Sequence, residues 1–162
     1  MCDRITGRSK VSINIVLYQP EIPPNTGNIL RLCANTGAHL HLIQPLGFAL
    51  NDKTLKRAGL DYISEQQFSL YDNFNAFLTQ HQPTRILCAS TKAKMTYIDV
   101  KFQPADMIMF GPETRGLPED LLQQYSPIRI PMAEAQRSIN LANSAAIILY
   151  HALFQLGFPN LK

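Results

Sequence analysis

The chain has 162 residues, enough for one domain with a real core, and 46% of them are hydrophobic. Charged residues make up 17%, below the usual share of roughly a quarter, so much of the chain must be buried in a core or against a partner. The formal charge of +3 is compatible with an anionic partner without requiring one; it excludes the strongly basic proteins that bind nucleic acid through charge alone.

Residues 1–12 are polar and carry Arg4, Arg8 and Lys10. They read as a flexible basic tail ahead of a single domain over residues 13–162. No apolar signal-peptide stretch opens the chain, and no segment offers the ~20 apolar residues of a membrane span. Cys2, Cys33 and Cys88 are odd in number and far apart, without CxxC or zinc spacing. A disulfide framework is disfavoured, and a soluble cytoplasmic protein without a metal is expected.

Ile13–Tyr18 (INIVLY) is a β-rich run that predicts the first strand. The next stretch, EIPPNTGN, follows Pro20 and contains two more prolines and a glycine, so it is expected to be a loop. Residues 29–34 predict a helix, with Gly37 suited to its C-terminal cap. His39–Ile43 alternates like a strand. Asn51 or Asp52 is placed to cap a helix through Leu55 and Ala58. Further strands are expected at 68–71, 85–89, 106–110 and 127–130. Helices are expected at 73–80, from Pro118 through Leu122, and at 140–156. Strands alternating with helices indicate an α/β fold with a mainly parallel sheet.

The last helix carries two apolar stripes. Leu141, Ala145, Ile148, Ala152 and Leu156 form one at helical spacing; Ile147, Tyr150 and Phe154 form a second. A surface helix ordinarily has one such stripe. Either both faces lie within a single core, or the second face meets a twin subunit, the reading we favour.

Ligands of α/β sheets bind beyond the carboxyl ends of the strands. Unusual loops follow four strands here: PEIPPNTGNILR, ASTKAK, GPETRGLP and PMAEAQRSINLANS. Glycine- and proline-rich loops bring main-chain groups close to a ligand. The sequence lacks GxxxxGK[ST], a GxGxxG after its first strand, HExxH and GxSxG, so the usual phosphate, dinucleotide, zinc-protease and serine-hydrolase sites are unsupported. Cys33 falls on the apolar side of a helix and is a poor nucleophile candidate.

Three blocks together resemble the three motifs of the SPOUT-class RNA methyltransferases, the knotted-fold group. The first is Pro24-Asn25-Thr26-Gly27-Asn28 with Arg31 and Gly37. The second runs from Met107 through Gly111-Pro112-Glu113-Thr114-Arg115-Gly116-Leu117. The third is Ile128-Arg129-Ile130-Pro131-Met132, leading to Arg137-Ser138-Ile139-Asn140-Leu141-Ala142-Asn143-Ser144. Order and spacing agree over residues 13–158. The chain is most similar to the small single-domain subgroup that methylates the ribose 2′-hydroxyl of the wobble nucleotide, cytidine or modified uridine, of leucine tRNAs. The basic tail departs from that pattern.

The resemblance implies a C-terminal trefoil knot, a homodimer, S-adenosylmethionine as donor and S-adenosylhomocysteine as product. It implies cofactor contacts near Ala89, Gly111, Ile130 and Ser138, where Gly111 would let the backbone approach closely and Ser138 would bond the cofactor or cap the last helix. It assigns Arg31 to the active centre. A free guanidinium is a poor base, with a pKa above ~12, so Arg31 is expected to orient the hydroxyl or a neighbouring phosphate. Asn25 would brace the loop, Glu113 would orient Arg31 or Asn25, and Asn140 would contact the loop or substrate, or cap a helix. Arg115, Arg129 and Arg137 are candidates for tRNA phosphates; Lys53, Lys56, Arg57, Lys92 and Lys94 suit a solvated surface better. Rival readings are a related enzyme acting at another tRNA or rRNA position and a non-catalytic RNA-binding module.

Overall fold

Strands and helices share most of the described backbone. The computed structural model describes residues 12–50, 68–159 and 161–162. The expected tail (apart from Ser12), the helix after Asn51, and Lys53, Lys56 and Arg57 lie outside the described residues. The elements are β1 (Asn14–Tyr18), α1 (Pro23–Thr36), β2 (His39–Ile43), β3 (Phe68–Tyr71), α2 (Phe74–His81), β4 (Ile86–Ala89) and β5 (Met95–Thr96). After a 3-10 turn at Tyr97–Asp99 come β6 (Met107–Phe110), α3 (Glu119–Gln124), β7 (Ser126–Arg129) and α4 (Leu141–Gln155).

Among the described residues these strands form one parallel sheet in the order β3-β2-β1-β6-β4-β7-β5. The central strands are buried on both faces, as parallel sheets require, and so read as unbroken apolar runs such as MIMF. The two-residue period of a strand splits them between two cores. Ile15, Leu17, Leu40, Leu42, Ile108 and Phe110 face α1 and α4. Val16, Ile43, Met107, Met109 and Cys88 face α2 and α3.

The EIPPNTGN stretch is not all loop. Helix α1 begins at Pro23, so Pro23 and Pro24 occupy its first turn. Proline costs nothing there, because it lacks the N–H that would otherwise be orphaned and its φ is preset. At the other end Gly37 takes the left-handed conformation (φ 73°) expected of a C-terminal cap. In α2, Asn73 caps as its type favours: the Ala76 amide donates to its side chain at 2.9 Å. The β5 strand and the turn after it were not anticipated; two residues are too few to show a period.

On α4, Ala145, Ile148 and Ala152 are fully buried, and Leu141 and Leu156 pack against the same core. Ile147, Tyr150 and Phe154 remain exposed, Phe154 by 66%. Burial of both stripes within the chain's own core is therefore ruled out. Ile22 and Phe158 are also exposed.

Candidate active site

The carboxyl ends of β4, β6 and β7 open into a cavity of about 610 Å³. The loops after these strands wall it, and the entry to α1 and the first turns of α4 complete it. A parallel sheet with helices on both faces leaves its strand ends free to build such a crevice.

The structure brings most of the expected residues here. Asn25, Ala89, Gly111, Glu113, Arg115, Ile130, Arg137, Ser138 and Asn140 all line the cavity. Ala89 ends β4, while Ile130 lies one residue beyond β7 rather than within it. Arg31 and Arg129 are not among the lining residues. Both are exposed, Arg31 on α1 and Arg129 on β7. Lys92 lines the cavity and pairs with Glu119 at 3.2 Å on the surface; Lys94 is exposed.

Glu113 is the hub. It accepts the backbone N–H of Glu21 at 2.8 Å and of Ile22 at 3.2 Å, and the Asn25 side-chain amide at 3.2 Å. Ile22 precedes the first turn of α1 and has no side-chain cap of its own. A carboxylate 91 residues away supplies that cap, and a negative charge suits the positive end of a helix. Of the two expected partners of Glu113, the structure shows it bonded to Asn25.

Asn25, nearly fully buried, passes the connection on. Its Oδ1 accepts from Asn140 Nδ2 at 3.0 Å. The Asn140 Oδ1 in turn accepts the amides of Ala142 and Asn143 at 2.9 and 3.2 Å, capping α4. Asn140 thus contacts the loop and caps the helix at once, and the cap is not Ser138. The 112–117 loop, the start of α1 and the start of α4, distant in sequence, are locked by one chain of side chains, Glu113–Asn25–Asn140.

Gly111 lines the cavity and also meets a packing requirement of its own. A Cβ there would lie 2.3 Å from the Leu117 nitrogen and 2.4 Å from the Gly116 carbonyl carbon. The close neighbour is the chain's own backbone: the 112–117 loop folds back over Gly111, through Gly116 at φ +70°.

A second set of contacts, missed from sequence, involves Glu21. Its carboxylate accepts the Thr114 amide at 3.0 Å and the Thr114 hydroxyl at 2.8 Å, with Arg115 at 3.8 Å. The Thr114 hydroxyl bond first, then its amide, holds the Glu21 carboxyl below the usual carboxylate range. The Arg115 guanidinium also donates to the Gln19 side chain. The only signal in the sequence was an acid among prolines.

Burial pushes the Cys33 thiol up to about 12, which removes it as a nucleophile at neutral pH. Among the described residues no group of three or more His, Cys, Asp or Glu side chains is placed to hold a metal. No described helix is long and apolar enough to cross a membrane.

The SpoU rRNA methylase family matches residues 12–150. Over 150 residues the chain is 51% identical to the tRNA (cytidine(34)-2'-O)-methyltransferase of Escherichia coli strain K12, covering 91% of this chain and 96% of that protein. The protein of the same name from Saccharophagus degradans is 51% identical over 152 residues, covering 92% and 99%. A solved structure described as giving insights into the 2-OH methylation of C/U34 on tRNA superposes with a TM-score of 0.85 at 42% identity, covering 92% of this chain and 99% of that one. An RNA 2'-O ribose methyltransferase at 24% identity, with a TM-score of 0.77, shares the fold; the match covers 96% of this chain and 62% of that one. The three motif blocks and the cavity they build thus have one explanation: the chain belongs to the SpoU rRNA methylase family, within the SPOUT-class methyltransferases.

Proposed function

We propose that this protein transfers a methyl group from S-adenosylmethionine to the ribose 2′-hydroxyl of the wobble nucleotide, cytidine or modified uridine, of leucine tRNAs. It would act in the cytoplasm as a homodimer, each subunit one domain over residues 13–162 with a C-terminal trefoil knot. The observation that carries this reading is the cavity itself: all three motif blocks converge on it, tied by Glu113–Asn25–Asn140. The relatives named above, similar over nearly their whole length, support the choice of nucleotide.

The lining suits such a donor. Phe110, Leu117, Ile128, Ile130 and Ile148 supply apolar walls for a purine, and the volume falls within the usual range for ligand pockets. Lys92 supplies a cation at the cavity wall. Ala89, Gly111, Ile130 and Ser138 would hold the donor, largely through main-chain groups. When bound, S-adenosylmethionine supplies an electrophilic methyl on a sulfonium, with a neutral thioether as the leaving group.

The chain's own contribution is alignment and activation. Holding the ribose oxygen in line with the methyl supplies much of the rate in a displacement of this kind. Arg31 orients the hydroxyl or an adjacent phosphate, whose geometry suits a bidentate guanidinium. Its exposed place on α1, away from the cavity lining, favours action on the cavity of a second copy. The exposed α4 stripe of Ile147, Tyr150 and Phe154 offers that copy an apolar face. Arg129 and Arg137 remain candidates for tRNA phosphates.

The test is a methylation assay on leucine tRNA transcripts with the modified ribose mapped. Label at nucleotide 34 supports the reading; label at another position transfers it to a related substrate, and no label refutes it. Arg31→Ala is expected to keep donor affinity while losing most methylation, and full turnover by that variant would reject the role of Arg31.

A further inference from the structure

The segment from Gln19 to Ile22 launches α1, and it is gripped from both sides. On one side Gly47 packs against it: a Cβ on Gly47 would lie 2.8 Å from Glu21 Cα, and the Gly47 amide donates to Pro20 O at 2.9 Å. On the other side the 112–117 loop and this segment exchange carboxylates. Glu113 accepts the amides of Glu21 and Ile22, and Glu21 accepts the amide and hydroxyl of Thr114. Arg115 completes the exchange by donating to Gln19 while lying 3.8 Å from Glu21. One partner of this exchange, the 112–117 loop, lines the cavity. The other carries the helix that bears Asn25 and Arg31.

We propose that Glu21 is a positioning residue and Arg115 its partner, together clamping the cavity-lining 112–117 loop onto the segment that sets α1. The proposal rests on the methyltransferase reading above, and it adds a device that fixes the donor side of the site against the acceptor side. It also reassigns Arg115. Its guanidinium holds Gln19 and Glu21, where the sequence alone suggested a tRNA phosphate.

Misplacement of reacting groups by about 1 Å costs on the order of 100-fold in rate. Glu21→Ala should therefore lower kcat by about 10- to 100-fold. The Kd of the donor and the KM for tRNA should stay within about threefold, since neither ligand loses a direct contact. Glu21→Gln should recover most of the rate, because its amide oxygen still accepts from Thr114. Arg115→Ala should lower kcat in the same manner, and the double variant Glu21→Ala/Arg115→Ala should be no worse than the more damaged single one.

The decisive readout is amide hydrogen exchange in the full-length protein, which needs no reaction. Glu21→Ala should speed exchange in peptides covering 112–117 and 19–25 while leaving β1 and β6 unchanged. Should Glu21→Ala fail to fold, Glu21→Gln and Thr114→Val serve instead, the second removing the hydroxyl bonds but keeping the amide bond. Unchanged exchange at 112–117 in these variants would overturn the proposal. So would an Arg115→Ala protein with intact kcat, a raised KM for tRNA and a flatter salt dependence, the signature of a lost phosphate contact. If the wild-type protein neither binds the donor nor methylates RNA, the functional reading fails, and the exchange result still decides the clamp.

Discussion

Replacing Glu113 by alanine tests the tie between the 112–117 loop and the start of α1. The carboxylate accepts three hydrogen bonds, from Glu21 N at 2.8 Å, Ile22 N at 3.2 Å and Asn25 Nδ2 at 3.2 Å. Ile22 N is exposed and is rehydrated once Glu113 is gone. The other two donors are partly buried, and each costs about 1–3 kcal/mol when left without its acceptor. Loss of a negative charge at the start of α1 adds about 0.3–1 kcal/mol. Allowing for partial rehydration, Glu113→Ala should destabilise the fold by about 2–4 kcal/mol. Glu113→Gln keeps one accepting oxygen and should cost about half as much. Urea unfolding of the three proteins at pH 7.5, with the slope checked for constancy, reads the difference directly. A Glu113→Ala protein within about 0.5 kcal/mol of wild type would refute the claim that this side chain holds the loops together.

Gly111→Ala places a methyl against the Gly116–Leu117 peptide and should cost about 1–3 kcal/mol by overpacking while reshaping the cavity; wild-type stability and donor affinity would contradict that. His41 is buried between Tyr71 and Asn14, and burial first, then the nearby His39 and His81, push it down to about 2. It is neutral in the fold but takes a proton in the unfolded chain below about 6.5. Its contribution is therefore complete above that value, and stability should fall by about 1.4 kcal/mol per pH unit below it. Urea titrations at pH 7.5 and 5.5 should show a smaller loss for His41→Gln than for wild type; equal losses would exclude His41 as the cause. Phe154→Asp puts a charge on the exposed face of α4 and should shift sedimentation equilibrium from dimer to monomer; an already monomeric wild-type protein would remove that face as a subunit contact.

The parallel α/β architecture was legible because its central strands are short apolar runs closed by glycine or proline. MIMF before Gly111-Pro112 is the clearest case, and HLHLI between Gly37 and Pro45 shows instead by its alternation. The start of α1 was not legible. Its cap is the Glu113 carboxylate, and no local pattern shows a partner that far away. The packing of Gly111 against Gly116 and Leu117 was hidden for a related reason: a glycine after a strand signals close approach, but does not name the returning chain as one of the neighbours. The resemblance named the candidate site residues, and the structure gathers nine of them at the cavity, eight from the motif blocks and Ala89 from the end of β4. The blocks did not foretell the place of Arg31, exposed on α1 outside the lining, or the part played by Glu21, which lies just ahead of the first block. The two stripes of α4 were visible from spacing; that the chain's own core leaves the second one uncovered depends on tertiary packing, which spacing does not encode.

Loops after β4, β6 and β7 that make one donor pocket must bind the donor's demethylated product. Calorimetric titration of the purified protein with S-adenosylhomocysteine measures this most directly. One site per chain is expected, weakened at least tenfold by Gly111→Ala. No detectable binding by the wild-type protein, or binding that Gly111→Ala leaves unchanged, would contradict it.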